Sequence, residues 1–200
     1  ASLEIPEWRW SQYSIITSMK PSHLYGRCPI LPMILVTGGT GFIGRHLVAD
    51  LLSSGHPVRL LVRNPEQAKE LFPKAEAVKG DLLDPESLKP ACKGVESVIH
   101  LAGLISYKES RESLFRANVE GTKNLLEASK DSKFLFSSSV SVYGETKERV
   151  PESSPPRPRN PYGESKLAAE QAVLQRANSI AYRLSVVYGP GSPIWARVLG

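Results

Sequence analysis

The chain has 200 residues, a formal charge of +5, 41% hydrophobic and 22% charged side chains; this suits one substantial soluble domain with a small appendage. The mild charge is scattered among Asp and Glu rather than gathered in a stripe, which argues against a nucleic-acid binder and fits a solvated surface. Cys28 and Cys92 are far apart without metal-ligand spacing, so neither a disulfide framework nor a metal site is expected and a reducing, cytoplasmic setting is the default. No apolar run approaches the ~18 residues of a membrane span.

Residues 1–32 hold Trp8, Trp10, Pro6, Pro21, Pro29 and Pro32 without sustained periodicity. They read as a poorly ordered leader: an expression remnant, upstream translation or a flexible arm. Glu4 and Glu7 argue against an organelle-targeting segment. From Met33 onward strands and helices alternate. Met33–Val36 is a continuous apolar run, the pattern of a strand buried on both faces. Residues 41–54 then read as a helix with Ile43, Leu47, Leu51 and Leu52 on one side and Gly55 as its stop. Val58–Val62 is the second strand, a short helix starts at Pro65, and Ala77-Val78 suggests a brief third strand. Asp84 caps the next helix. Ser97–Leu101 is the fourth strand, Arg111–Lys130 the following helix, Phe134–Phe136 the fifth strand, Pro161–Asn178 the last long helix and Ile180–Val187 the sixth strand. Val150–Pro161 is a surface loop. Strands separated by helices imply parallel pairing through right-handed crossovers, hence a doubly wound α/β domain, a Rossmann fold with helices on both faces.

The first strand and first helix are joined by Thr37-Gly38-Gly39-Thr40-Gly41-Phe42-Ile43-Gly44. Gly38 allows the sharp turn, Gly41 the approach of a pyrophosphate to the backbone, and Gly44 close packing of helix on sheet. The helix N-terminus offers free N–H groups and a positive dipole end to phosphates. Arg63, just past the second strand, occupies the place where an acid would meet free ribose hydroxyls; its guanidinium suits a 2′-phosphate better, so NADP is favoured over NAD, with both open.

Tyr162 and Lys166 are four residues apart and share a helix face. A phenol is a poor base at neutral pH, but an adjacent ammonium favours its phenolate. Tyr162 could then take a proton from a substrate hydroxyl as hydride departs, and return it in reduction. Strand five runs into Ser137-Ser138-Ser139-Val140-Ser141-Val142-Tyr143-Gly144 at the carboxyl end of the sheet, where ligands sit and a hydroxyl can polarise a substrate oxygen.

The glycine turn resembles the TGxxGxxG signature of extended short-chain dehydrogenases/reductases, and the serine run resembles that of UDP-galactose 4-epimerase and its relatives, whose third serine is catalytic. The resemblance, from Met33 to Gly191, implies Ser139, Tyr162 and Lys166 as the catalytic set. It implies Gly38, Thr40, Gly41, Phe42, Ile43, Gly44 and Arg63 around the cofactor, with Lys166 also holding its nicotinamide ribose beside Tyr162. Asp81 and Leu82 match the family's adenine-contacting pair, and Leu101, Ala102 and Gly103 its small-residue stretch along the cofactor. Asn118, in Asn118-Val119-Glu120-Gly121-Thr122, matches an asparagine beside the cofactor, and Val187–Gly191 the turn after the last strand. His100 reads as a core histidine rather than a catalyst.

Two departures stand out. Val186 occupies the position, three residues after Arg183, where sugar-nucleotide epimerases commonly have a substrate-contacting asparagine. Arg63 replaces the acid that accompanies tightly held NAD. Both are closer to NADPH-dependent carbonyl reductases similar to dihydroflavonol reductase, whereas the serine run favours the nucleotide-sugar branch. Relatives of about 300 residues carry a C-terminal substrate lid, so this chain is expected to be a fragment with the cofactor half intact and the specificity half missing. Three functions follow. The first is an NAD(P)-dependent epimerase or dehydratase acting on a small-molecule substrate, a nucleotide sugar. The second is an NADPH-dependent ketone reductase, and the third a non-catalytic dinucleotide-binding module, which the complete Ser-Tyr-Lys set disfavours. Family members often pair through the 111–130 and 161–178 helices; their apolar faces here are explained equally by core packing, so a homodimer stays open.

Overall fold

The computed structural model describes residues 31–106, 108–145, 149–189 and 191–192. The expected leader thus lies outside the described residues, except Leu31 and Pro32. Among the described residues six parallel strands form one sheet: β1 (Met33–Thr37), β2 (Val58–Val62), β3 (Glu76–Lys79), β4 (Val95–His100), β5 (Lys133–Ser139) and β6 (Ser179–Leu184), in the order β3-β2-β1-β4-β5-β6. The order reverses between β1 and β4, and this switch point opens a crevice at the strands' carboxyl ends.

The apolar runs of the central strands are buried on both faces. Leu35 of β1 joins Leu61, Val98, Phe134 and Phe136 beneath α3 (Pro85–Cys92), α5 (Gly121–Ala128) and α6 (Pro161–Leu174). Val36, its neighbour on the opposite face, packs with Leu60, Val48 and Leu51 beneath α1 (Phe42–Ser53) and α2 (Pro65–Leu71). Side-chain alternation along one strand therefore feeds two cores. Cys92 is a free, buried thiol, pushed up to about 11 by burial, with Arg59 opposing. Among the described residues no helix is long and apolar enough to cross a membrane, and no group of three or more His, Cys, Asp or Glu could hold a metal.

Several boundaries differ from the sequence reading: β4 runs Val95–His100 rather than Ser97–Leu101, and β5 Lys133–Ser139 rather than Phe134–Phe136. The helix expected over 111–130 is α4 (Arg111–Phe115), a π turn (Arg116–Glu120) and α5. The last helix stops at Leu174 rather than Asn178; the Ser179 hydroxyl donates to the carbonyls of Val173 and Arg176, each at 2.6 Å, closing its C-terminal end. The sixth strand stops at Leu184 rather than Val187, because its pairing ends where Ser139, the last residue of β5, meets Leu184.

Candidate functional site

The glycine turn is made almost entirely of backbone. Gly38 has φ +72°, and a Cβ there would lie 2.7 Å from the Ala102 nitrogen; both facts require glycine. At Gly44 a Cβ would run into the Gly38 carbonyl and lie 2.7 Å from the Gly39 Cα. The Gly41 N–H closes the turn on the Gly38 carbonyl at 3.0 Å. Gly41 is the N-cap of α1 and provides no side-chain cap. The helices α2, α3, α4 and α6 are each capped by a side chain: Asn64, Asp84, Ser110 and Asn160. The first-turn N–H groups of α1 thus lack the cap the other strand-to-helix entries have, and helix-terminal donors of this kind suit an anion.

A cleft of about 580 Å³ begins at this turn. It is lined by Thr37, Gly38, Thr40 and Gly41 on one side, by Arg63, Asn64, Asp81 and Leu82 beyond β2 and β3, and by Ala102, Gly103 and Ala117 on the other. Of the predicted cofactor residues it brings together Gly38, Thr40, Gly41, Arg63, Asp81, Leu82, Ala102 and Gly103. Arg63 is exposed. The Asp81 carboxylate accepts the Leu83 N–H at 2.9 Å, and the Leu82 carbonyl accepts from Asn124 at 2.9 Å, which fixes this rim. Phe42, Ile43, Gly44 and Leu101 are not in its lining; Phe42 meets His46 edge-on at 5.6 Å and Leu101 packs against the core. The small residues and uncapped helix end make a cradle that a dinucleotide's phosphates fit.

Asn118 stands behind Gly103 of the cleft lining. It is buried in the π turn and ties parts of the site together. Its Oδ1 accepts the Leu104 N–H at 2.7 Å, and its Nδ2 donates to the Leu104 carbonyl and to the Ser165 hydroxyl, both at 3.0 Å. Ser165 in turn donates to the Tyr162 carbonyl at 2.8 Å. The loop after β4 is thereby stitched to the first turns of α6. A π turn is a common way to set a side chain out of the α-helical ladder at a functional position.

On α6, Tyr162 and Lys166 are both buried, one turn apart. The Lys166 Nζ lies 4.2 Å from the centroid of the Phe136 ring. Burial pushes its ammonium down to about 8, partly opposed by the Glu170 carboxylate. Ser139 ends β5; its hydroxyl accepts the Ser141 N–H and donates to the Ser141 hydroxyl, both at 3.1 Å, capping the 3-10 turn Val140–Tyr143. That turn abuts α6 so closely that a Cβ on Gly163 would lie 2.5 Å from the Ser141 carbonyl oxygen. Ser139 and the tyrosine-bearing end of α6 therefore come from neighbouring backbone.

His100 sits beneath this group with both ring nitrogens engaged. The Ala102 N–H donates to the Thr37 hydroxyl at 3.2 Å, and the Thr122 hydroxyl donates to the Asn118 carbonyl at 2.6 Å. The Thr37 hydroxyl proton is then directed to Nδ1 at 2.6 Å, and Nε2–H to Thr122 at 2.9 Å. This ordering fits one neutral tautomer. Burial, with Lys166 adding to it, lowers the imidazole to about 3.

Sequence reasoning misses Glu170 and Ser138. Glu170 is buried, and its carboxylate receives the Ser138 hydroxyl and the Arg183 guanidinium. Its spacing of four from Lys166 and eight from Tyr162 is the signal that points to it.

The family described as NAD dependent epimerase/dehydratase matches residues 34–199. A 3-beta-hydroxysteroid dehydrogenase of Mycolicibacterium neoaurum is 35% identical over 84% of this chain and 49% of its own length. The UDP-glucose 4-epimerase uge1 of Schizosaccharomyces pombe is 35% identical over 70% of this chain and 45% of its own. Among solved structures, the Thermus thermophilus UDP-glucose 4-epimerase in complex with NAD superposes with a TM-score of 0.70 at 36% identity, covering 80% of this chain and 57% of that one. The chain spans about half the length of the curated relatives it matches. With the match running over residues 34–199, the chain belongs to the NAD dependent epimerase/dehydratase family.

Proposed function

We propose that this chain binds a nicotinamide dinucleotide, NAD or NADP, and that Ser139, Tyr162 and Lys166 serve reversible hydride transfer at an alcohol or ketone carbon of a nucleotide sugar. One observation carries the reading. Gly103 lines the cleft, and a Cβ there would lie 3.3 Å from the Asn118 Oδ1 and 3.8 Å from the Lys166 Nζ. The phosphate-binding cleft and the buried lysine thus meet at a residue without a side chain.

The bound dinucleotide would supply the hydride acceptor or donor. Tyr162 takes the proton from the substrate hydroxyl at its phenolic oxygen and returns it in the reverse direction. Lys166, as an ammonium, favours the phenolate and offers donors to the ribose hydroxyls. The Ser139 hydroxyl turns from Ser141 to the substrate oxygen and polarises it. Arg63, exposed at the rim, suits a 2′-phosphate, while the T. thermophilus neighbour was crystallised with NAD. A second reading, a carbonyl reductase or dehydrogenase of a less polar substrate, is favoured by Val186. This exposed apolar side chain stands where the nucleotide-sugar resemblance calls for an asparagine.

Titration calorimetry with NAD and NADP tests the first step: a folded sample should bind at least one. The Tyr162→Phe variant should keep that binding and lose about 10²–10⁴-fold in turnover of UDP-glucose or a model ketone. A folded protein that binds neither dinucleotide ends the proposal.

A further inference from the structure

Glu170 is the most deeply buried carboxylate of the described residues, its side chain 3% exposed, and the reaction assigned above does not use it. It lies one helical turn past Lys166 and two past Tyr162, on the same face of α6. Three elements converge on it. From β5, the Ser138 hydroxyl donates to Oε2 at 2.5 Å. From β6, Arg183 donates through Nε to both oxygens at 3.1 Å and through Nη2 to Oε1 at 2.5 Å. Arg183 is held in turn: its Nη1 donates to the Tyr143 hydroxyl at 2.5 Å and to the Glu152 carbonyl at 3.2 Å, with the guanidinium 4.7 Å from the Tyr143 ring centroid.

A buried ion pair is poor evidence of a stability device, since desolvation offsets the attraction and apolar residues of equal volume often serve better. The position of this one points to another use. Ser138 immediately precedes Ser139, so its bond to Glu170 locks the end of β5 onto the helix that carries Tyr162 and Lys166. The carboxylate also sets a negative charge one turn from an ammonium whose burial works against its charge.

Resting on the dinucleotide reading, we propose that Glu170 is a positioning residue for the hydride-transfer site: it keeps Lys166 charged and, through Ser138, holds Ser139 in register with Tyr162. The titratable groups around Lys166 are His100 from β4, Tyr162 and Glu170 from its own helix and, beyond the carboxylate, Arg183 from β6 and Tyr143 from the turn after β5. His100 is neutral in the folded protein and Arg183 is raised above its ordinary range by Glu170. Glu170 is therefore the carboxylate in this set that favours the lysine's charge.

The test is the titration of Lys166, read by NMR of isotope-labelled lysine in the unliganded protein, with the signal assigned by its loss in Lys166→Met. In the unaltered protein it should titrate near 8. Glu170→Gln should lower it by about one pH unit, as removal of a nearby opposite charge does, and move the alkaline limb of turnover down with it. Arg183→Met, which leaves Glu170 with Lys166 as its remaining cation, should raise it. A merely structural pair would shift the lysine in one direction when broken from either end, so opposite signs are the signature. An unmoved titration in Glu170→Gln, equal signs in the two variants, or a Lys166 already neutral at pH 7 in the unaltered protein overturns the proposal. Should Glu170→Gln not fold, the sign of Arg183→Met decides alone. No dinucleotide is present in this measurement, so failure of the cofactor reading shows separately, in the calorimetry.

Discussion

The cleft's glycine wall and the neighbouring β5–α6 region are built by different means. On the β1 side, the glycine turn and the start of α1 make a phosphate cradle from main-chain groups: a positive φ at Gly38, backbone in contact at Gly44, and a helix end without a side-chain cap. On the β5–α6 side, the chemistry sits on buried polar side chains from distant parts of the chain. Asn118 bonds Ser165, while Glu170, one turn from Lys166, receives Ser138 and the half-buried Arg183. A backbone site is encoded locally and tolerates no added atoms. A side-chain site is encoded by pairs far apart in sequence, and each member can be altered without closing the space it occupies.

The sharpest way to test that contrast is to add one methyl group to the backbone wall. Gly44→Ala puts a Cβ against the Gly38 carbonyl and 2.7 Å from the Gly39 Cα, where the obstacles are main chain and cannot rotate away. Overpacking of this kind costs about 3 kcal/mol or more. Thermal unfolding should show that loss, and the folded remainder should bind neither dinucleotide. If Gly44→Ala binds as the unaltered chain does, helix α1 can shift off the sheet and the cradle is not rigid.

The same division separates what the order of amino acids makes legible from what it hides. The apolar runs of β1, β2 and β4 are plain because strands buried on both faces need continuous hydrophobicity, and the glycine turn is plain because its constraints lie within eight residues. The π turn at 116–120 is invisible in the pattern, since one extra residue in a turn leaves the apolar face of a 111–130 helix intact. Val186 and Val187 resemble strand because β-branched residues favour it, yet β6 ends when β5 runs out of partners. Glu170 and Arg183 escape notice for the reason that a charged residue on a helix or strand ordinarily marks the solvated face. The burial of Glu170 is a property of the fold, in which β6 lays a half-buried guanidinium against its carboxylate. The alternation of strands and helices and the cradle are thus legible, and the polar network behind Tyr162 and Lys166 is not.

His100 links the end of β1, through Thr37, to α5 beside the π turn, through Thr122. Its folded value is depressed to about 3 from an ordinary 6.5, so the unfolded chain takes up a proton that the folded chain refuses. This histidine's contribution is complete above pH 6.5 and is lost as pH falls from there toward 3, at about 1.4 kcal/mol per pH unit. Urea unfolding at pH 6.5 and at 5 should show the fall, and His100→Asn should lack one proton's worth of the slope whatever its absolute stability. An equal slope in both proteins would mean that the imidazole is protonated in the folded state, and the direction of the hydrogen-bond chain would be wrong.

The smallest effect is expected at Arg63, the one charged side chain that the proposed function places at the backbone wall. It is exposed, so Arg63→Ala should leave stability within about 0.5 kcal/mol. A guanidinium at the rim can favour a 2′-phosphate through charge-assisted hydrogen bonds, but solvent screens it, and about tenfold weaker NADP binding with NAD unchanged is the expected result, or about 1.4 kcal/mol. Calorimetry of both dinucleotides at low and high salt reads this directly, and the NADP difference should shrink as salt rises. If Arg63→Ala weakens both dinucleotides alike, the guanidinium acts on a part they share, such as the adenine or the pyrophosphate. Cofactor choice would then rest with Asn64, Gln67 or another residue at the same rim, and the backbone wall would bind the two cofactors with no charge-based preference.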